Sequence, residues 1–385
     1  MFAKRTQWRL EPNSFTVALQ AQRDAGRTLL DLTVSNPTQA GFTYDRSMLH
    51  SLADERALKY DPQPTGMLSA REAVVDYYAK MGERVAPDRI VLTTSTSEAY
   101  SFVFRLLCEP GDEVLIAQPS YPLFEFLADI CDVNLRPYEL VYDHGWQVDF
   151  HSLQRGITPK TRAVVVVHPN NPTGSYVKQH EISQLNAICR DREMAIIADE
   201  VFLDYPLTSA PHQTFAANDD ALTFTLSGVS KISALPQMKL GWMVISGPEE
   251  IAREAAGRME VIADTYLSLN TPTQLAAECL LRERKTMQPQ ISARVLANLA
   301  EVDRQLASHA SVRRLEVEGG WYVVLRVPAT NTDDNLTISL IEQEGVIVHP
   351  GHFFDFHADG FLVLSLITPE AHFSEGLTRV LARFN

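Results

Sequence analysis

Three segments in the middle of the chain bring chemistry-capable side chains to the ends of strand-like runs. HPNNPTGS (168–175) follows the apolar run AVVVV (163–167). Consecutive Asn, Pro and Gly after a strand make a turn at the carboxyl edge of a sheet, where open α/β sheets bind ligands. AIIADEVFLDY (195–205) ends its apolar run on Asp199, which at such an edge serves either as a solvated cap or as a ligand partner. LSGVSKISALPQMKLGW (226–242) follows a third run and sets Lys231 in a Ser/Gly-rich turn, with Lys239 further on. A lysine in a loop is ordinarily a solvated charge. Here an amide, Asn171, and a carboxylate, Asp199, follow the two neighbouring runs, and an amine so placed is a nucleophile toward carbonyl carbon.

The elements that must position these groups are legible as apolar patterns. IVLT (90–93), VLIA (114–117), AVVVV, AIIAD (195–199), LTFTLS (222–227) and WMVIS (242–246) are short and apolar throughout, as strands covered on both faces are. Between them Met67, Leu68, Ala70, Ala73, Val74, Tyr77, Tyr78 and Met81 fall on one helical face, and Phe102, Val103, Leu106 and Leu107 on another. This predicts an α/β fold: a three-layer αβα large domain with a mainly parallel sheet over residues 45–270. After about residue 270 a helical stretch from Ala276 to Leu306, broken near Pro289, precedes GGWYVVLRV, VIVHP and FLVLSLI. Residues 271–385 therefore read as a smaller α+β domain. Residues 1–44, with a helix that Ser14 could cap, are expected to pack against it.

Composition narrows the partners. Acidic residues outnumber basic ones 48 to 34, a net charge of −14 over 385 residues, so no overall field favours nucleic acid or anionic lipid. Cys108, Cys131, Cys189 and Cys279 are widely spaced with no CxxC, indicating neither a zinc ribbon nor a disulfide framework. No run approaches the ~20 apolar residues needed to cross a bilayer. A soluble cytoplasmic protein is expected, with no membrane and no resident metal.

An amide, an anion and an amine after successive strands are what a pyridoxal 5′-phosphate site needs, for the phenolic oxygen, the ring nitrogen and the carbonyl carbon. The ordered set NNPTG, DEVF and SK…LP…GW resembles the fold-type I pyridoxal-phosphate enzymes of the class I/II aminotransferase family, and the resemblance covers nearly the whole chain. It implies that Lys231 is the Schiff-base lysine, Asp199 the partner of the ring nitrogen and Asn171 the partner of the phenolic oxygen. TTSTSEAYSFVF (93–104) resembles the phosphate-binding turn, which would put Ser95, Thr96 and Ser97 on the phosphate, with Ser230 as a further ligand. An anion at a helix N-terminus meets free N–H groups and the favourable end of the macrodipole. Tyr121 matches the ring that stacks on the cofactor. Tyr60 matches a tyrosine that crosses a dimer interface to the phosphate, so a homodimer is implied.

Three positions depart from the commoner pattern. Lys239 stands where a phosphate-binding arginine is usual, keeping a cation without the guanidinium fork. Phe202 replaces the tyrosine that usually shares the phenolic oxygen. In FLVLSLITPE (361–370) Val363 occupies the place of the arginine that holds the substrate's carboxylate, with Arg326, Arg46 and Lys239 as possible substitutes. Simple amino acids such as aspartate are then expected to be poor donors. His349, His352 and His357 in and after VIVHPGHFF suggest a metal less well than a family-like turn. The expected activity is amino transfer between an amino acid or related amine and a 2-oxo acid. β- or γ-elimination on the same cofactor, and a non-catalytic cofactor-binding regulator, are the competing readings.

Overall fold

The computed structural model of the chain describes residues 1–122, 124–209, 212–267 and 269–384. Its strands are β1 (Leu30–Asp31), β2 (Ile90–Thr93), β3 (Glu113–Gln118), β4 (Asn134–Tyr142), β5 (Trp146–Val148), β6 (Thr161–Val167), β7 (Ala195–Asp199), β8 (Thr223–Gly228), β9 (Gly241–Ser246), β10 (Arg313–Arg314), β11 (Tyr322–Arg326), β12 (Val346–Ile347), β13 (His349–Pro350) and β14 (Phe361–Ser365). Strands β2 to β9 form one sheet in the order β2-β9-β8-β7-β6-β3-β4-β5. β8, β7, β6, β3 and β4 run parallel, and β9 is antiparallel to both β8 and β2, so β2 points the same way as the parallel set.

The apolar runs are explained by burial on both faces. Along β7, Ile197 packs with Phe224, Met259 and Phe104 on one side, whereas Ile196 and Ala198 pack with Leu153 and Leu185 on the other. The helices Thr96–Leu107, Phe124–Ile130 and Glu249–Tyr266 cover the first face, and Phe150–Gly156 and Gln179–Asp191 the second. Each such side chain, fully buried, stabilises the fold by about 1.5–3 kcal/mol. The helix Leu68–Ala79 packs its Ala73, Val74, Tyr77 and Tyr78 against Ile90, Leu92 and Trp242, while Leu68 stays half exposed. The three-layer α/β architecture read from the sequence is thus present.

A second core surrounds Trp321. β14 lies between β11 and β13, and Leu30, Leu32 and Ala40 from near the start of the chain join Val363, Leu364, Phe373 and Leu377 there. The junction is stitched by β1, which pairs in parallel with β12. Along the chain the switch between cores falls between Leu281, packed near Trp242, and Met287, packed near Trp321.

Two local expectations are corrected. The first helix, Ser14–Asp24, is capped by Asn13 rather than Ser14, because the Asn13 side chain accepts the Thr16 N–H at 2.8 Å. The long helical stretch does not break at Pro289. It interrupts at Glu283, and Pro289 lies inside Arg284–Leu306. That helix is held through its buried stripe, which includes Met287, Ile291, Val295 and Asn298, and the Asn298 amide donates to the carbonyls of Leu366 and Thr368.

One close approach fixes the end of β8. Gly228 pairs with Gly241 across β9, and a Cβ on Gly228 would stand 2.8 Å from the Leu240 carbonyl oxygen and 3.0 Å from the Gly241 Cα. Both obstacles are main chain and cannot rotate away. Gly228→Ala is expected to lower unfolding free energy by about 1–3 kcal/mol, the usual cost of overpacking, read as a lower denaturant midpoint. An unchanged midpoint would show that β8 and β9 can separate freely.

Candidate active site

A cavity of about 380 Å³ opens at the carboxyl ends of β6, β7 and β8, and its wall includes Thr96, Ser97, Tyr121, Asn171, Asp199, Ser230 and Lys231. Strand register brings them together. Val167, Asp199 and Leu226 are level on adjacent parallel strands, and Thr93 is level with Gly241 and Gly228, so four turns leave the sheet on one front.

Each turn has its own scaffold. In NNPTG, Asn170 is structural: its side-chain oxygen accepts from the Thr173 hydroxyl at 2.9 Å and its main-chain oxygen from the Gly174 N–H at 2.8 Å. Gly174 is required, since its φ is +71° and a Cβ would stand 2.5 Å from the Gly319 oxygen. This leaves Asn171 free to face the cavity, where its buried Oδ1 has no hydrogen-bond partner.

Asp199 is buried at the end of β7. The Tyr100 hydroxyl donates to one carboxylate oxygen and the Val201 N–H to the other, each at 3.2 Å. Burial nevertheless pushes its pKa up to about 6. Lys231 sits in the one-turn helix Val229–Ile232, pinned by Tyr205, whose hydroxyl donates to the Lys231 carbonyl at 2.6 Å, and by Gln288, which donates to the Ile232 carbonyl. Burial draws the Lys231 ammonium down to about 8, against the opposing pull of the Asp199 charge. Its Nζ lies 5.1 Å from the Trp321 ring centroid and 5.6 Å from that of Phe202, and donates only a long 3.4 Å contact to the Ser35 carbonyl. An amine in this state has a free-base fraction near neutral pH and is able to add to a carbonyl or carry a proton.

The helix Thr96–Leu107 points its N-terminus at the cavity. Ser95 caps it, its hydroxyl accepting the Glu98 N–H at 3.2 Å, and Ser95 is not part of the wall. Among the described residues the N–H groups and hydroxyls of Thr96 and Ser97 have no hydrogen-bond partner, so they are open to an anion. Tyr60 is 74% exposed and borders a separate small depression with Leu267 and Gln274. Lys239 is exposed, with φ +52°, and is not part of the cavity wall.

Sequence reading did not single out Tyr100, Ser35, Tyr205 or Tyr322, and weighed His349 only for a metal. The Tyr100 signal was present as a lone polar atom on an otherwise apolar helix face. Tyr322 and His349 reach the cavity from the second core, and no spacing rule links them to β7. The three histidines do not gather: His357 contacts Glu139 at 2.7 Å, His352 faces Asp334, and His349 lines the cavity. Among the described residues no cluster is placed to hold a metal ion.

The model for the aminotransferase class I and II family matches residues 27–379. A glutamate–pyruvate aminotransferase of Haemophilus influenzae is 26% identical over 371 residues, covering 94% of this chain and 91% of that protein. An alanine aminotransferase of Mycobacterium tuberculosis is 28% identical, covering 88% and 81%. The alanine aminotransferase structure from Pyrococcus furiosus superposes with a TM-score of 0.88 at 21% identity, covering 100% of this chain and 99% of that one.

Behind Asp199 lies a second buried acid. Glu200 accepts from the Thr214 hydroxyl at 2.5 Å and the Phe215 N–H at 2.6 Å, yet burial lifts its pKa to about 8. The folded state therefore binds this proton more tightly than the unfolded chain, so the associated stability is complete at low pH and is lost as pH rises toward 8. Glu200→Gln should stabilise the cofactor-free protein more at pH 8.5 than at pH 5, by at least about 1 kcal/mol. Denaturation at the two pH values measures this, and an equal effect at both would count against a buried, proton-holding Glu200.

Proposed function

The chain belongs to the aminotransferase class I and II family, and from that membership we propose that the cavity binds pyridoxal 5′-phosphate and moves an amino group between an amino acid and a 2-oxo acid. The observation that carries the reading is the convergence of Lys231, Asp199 and the unpartnered Asn171 amide on one cavity that also receives the open N-terminus of Thr96–Leu107. The residues fit the group. Thr96, Ser97 and Ser230 offer donors to a phosphate, Asp199 offers an anion to a ring nitrogen, Asn171 an amide to the phenolic oxygen, and Tyr121 a ring to stack. Ser95 supports the phosphate end by capping, and Lys239 adds distant positive charge.

When bound, pyridoxal 5′-phosphate supplies a carbonyl that exchanges amines and a conjugated ring that accepts the charge left when a Cα proton departs. Lys231 would be the proton carrier: its lowered pKa leaves part of it as free amine to take the Cα proton and deliver it across the nitrogen to the cofactor's former carbonyl carbon. Asp199 would hold positive charge at the ring nitrogen, a counter-ion for its buried carboxylate. The names of the relatives direct the first substrates to be tried, alanine and glutamate as donors and pyruvate as acceptor. Family membership favours transfer over elimination, and no observation favours a regulator. We assign the cofactor domain to residues 45–270, continued to about residue 281 by the packing of Ala276 to Leu281 near Trp242, and the smaller domain to 1–44 with the rest of 271–385. The enzyme is proposed as a cytoplasmic homodimer, supported by four free cysteines and by Tyr60, exposed outside its own chain's cavity as a residue serving a partner would be.

With donor and no acceptor, the holoenzyme should release one 2-oxo acid per active site and then stop. Continuous ammonia release would instead establish elimination. Lys231→Ala should lower the transfer rate by about 10²–10⁴-fold, the usual contribution of a positioned acid–base group. Borohydride trapping with peptide mapping should put the cofactor label on Lys231, and a label on another lysine would displace the assignment. Sedimentation of the active enzyme should give twice the chain mass, and an active monomer would remove Tyr60 from the site.

A further inference from the structure

Val363 is fully buried in β14 and carries no charge, so the cation expected on this strand is missing. The cations weighed as substitutes are not in the cavity wall. Arg326 lies over the Phe361 ring at 4.2 Å, and Arg46 and Lys239 are exposed. Register shows what stands nearest instead. β13 and β14 are antiparallel, and His349 is the direct cross-strand partner of Val363. Residues opposed in this way project from the same face of the sheet. His349 therefore faces the same side as Val363, one strand over, and lines the cavity.

The imidazole is held but not satisfied. Phe354 meets it edge-on at 5.7 Å and Phe353 at a tilt at 5.8 Å, and both rings also line the cavity. Neither ring nitrogen has a hydrogen bond among the described residues; Nδ1 is enclosed by protein, so Nε2 is the nitrogen that a molecule in the cavity can meet. Each neutral tautomer of the ring carries one N–H donor. The chemistry it suits is an anionic or neutral oxygen on a small molecule in the cavity.

We propose that His349 recognises the substrate's carboxylate, donating its Nε2–H to one carboxylate oxygen from the strand beside Val363. The proposal rests on the aminotransferase reading, in which donor and acceptor both carry a carboxylate next to the reacting carbon. It replaces a bidentate ionic grip with a single hydrogen bond to an aromatic-walled site. Selection for the carboxylate is accordingly weaker than a guanidinium fork would give.

The test uses the holoenzyme, with phenylalanine and its carboxylate-free counterpart phenethylamine as matched donors, and calorimetric binding of pyruvate as a readout independent of turnover. His349→Phe keeps the ring and removes both nitrogens, whereas His349→Gln keeps an N–H. The ratio of kcat/KM for amino acid over amine should fall at least tenfold in His349→Phe and be largely retained in His349→Gln. Pyruvate affinity should fall in parallel. If His349→Phe does not fold, His349→Met provides the same comparison. A ratio that His349→Phe leaves unchanged in an active enzyme overturns the proposal, with the aminotransferase reading intact. If the wild type moves no amino group from any donor, that reading fails, and pyruvate binding still decides the role of His349. Equal binding to wild type and variant, or binding to neither, overturns it.

Discussion

A carboxylate removed from water at the end of a central strand sets the terms for everything around it. Asp199 has two donors, Tyr100 and Val201, and still has its pKa raised to about 6 because they do not replace the lost hydration. A cation beside it lowers that cost, and Lys231 shares its cavity. The parallel sheet is what makes such an arrangement stable. It sets Asp199, the NNPTG turn and the lysine turn on one front, with helices covering both faces of its central strands and the cavity at their ends.

The lysine's surroundings show how a missing hydroxyl is accommodated. Phe202 stands where the resembling family commonly has tyrosine, and its ring packs edge-on against Trp321 and Tyr322. The ammonium of Lys231 lies over Phe202 and Trp321 rather than beside a phenolic oxygen. Aromatic faces attract a cation without fixing its direction as a hydrogen bond would. That leaves the side chain free to swing between a bound cofactor and a proton on its substrate.

What the sequence revealed, and what it did not, follows from distance along the chain. The fold class was legible because doubly covered strands must be apolar throughout, as in AVVVV and AIIAD. Asn171, Asp199 and Lys231 were legible because each directly follows its strand, so local pattern fixes the place. Tyr100 was not, since its hydroxyl acts on a residue 99 positions away. His349 was weighed only against a metal and set aside as part of a turn, because only the pairing of β13 with β14 reveals which face it shares. The break expected at Pro289 fell at Glu283: tertiary burial of Met287 and Ile291 outweighed the loss of one helical hydrogen bond. Tyr60 illustrates the opposite limit, a residue whose expected role lies outside its own chain.

The parallel pairing of β1 with β12 carries a consequence for biosynthesis. Leu30 and Leu32 are synthesised 316 residues before the segments that cover them, Val346 and Val348 (346 − 30 = 316). At roughly 5–20 residues per second, the early segment waits on the order of tens of seconds for its core. Throughout that interval the growing chain can complete the large sheet, whose pairings are already present. Leu30, Leu32 and Phe15 meanwhile remain uncovered apolar surface, the kind that holdase chaperones bind. Translation that stops before β12 would leave a sheet bearing the Lys231 turn but no closed wall around it, with Leu30, Leu32 and Phe15 still uncovered.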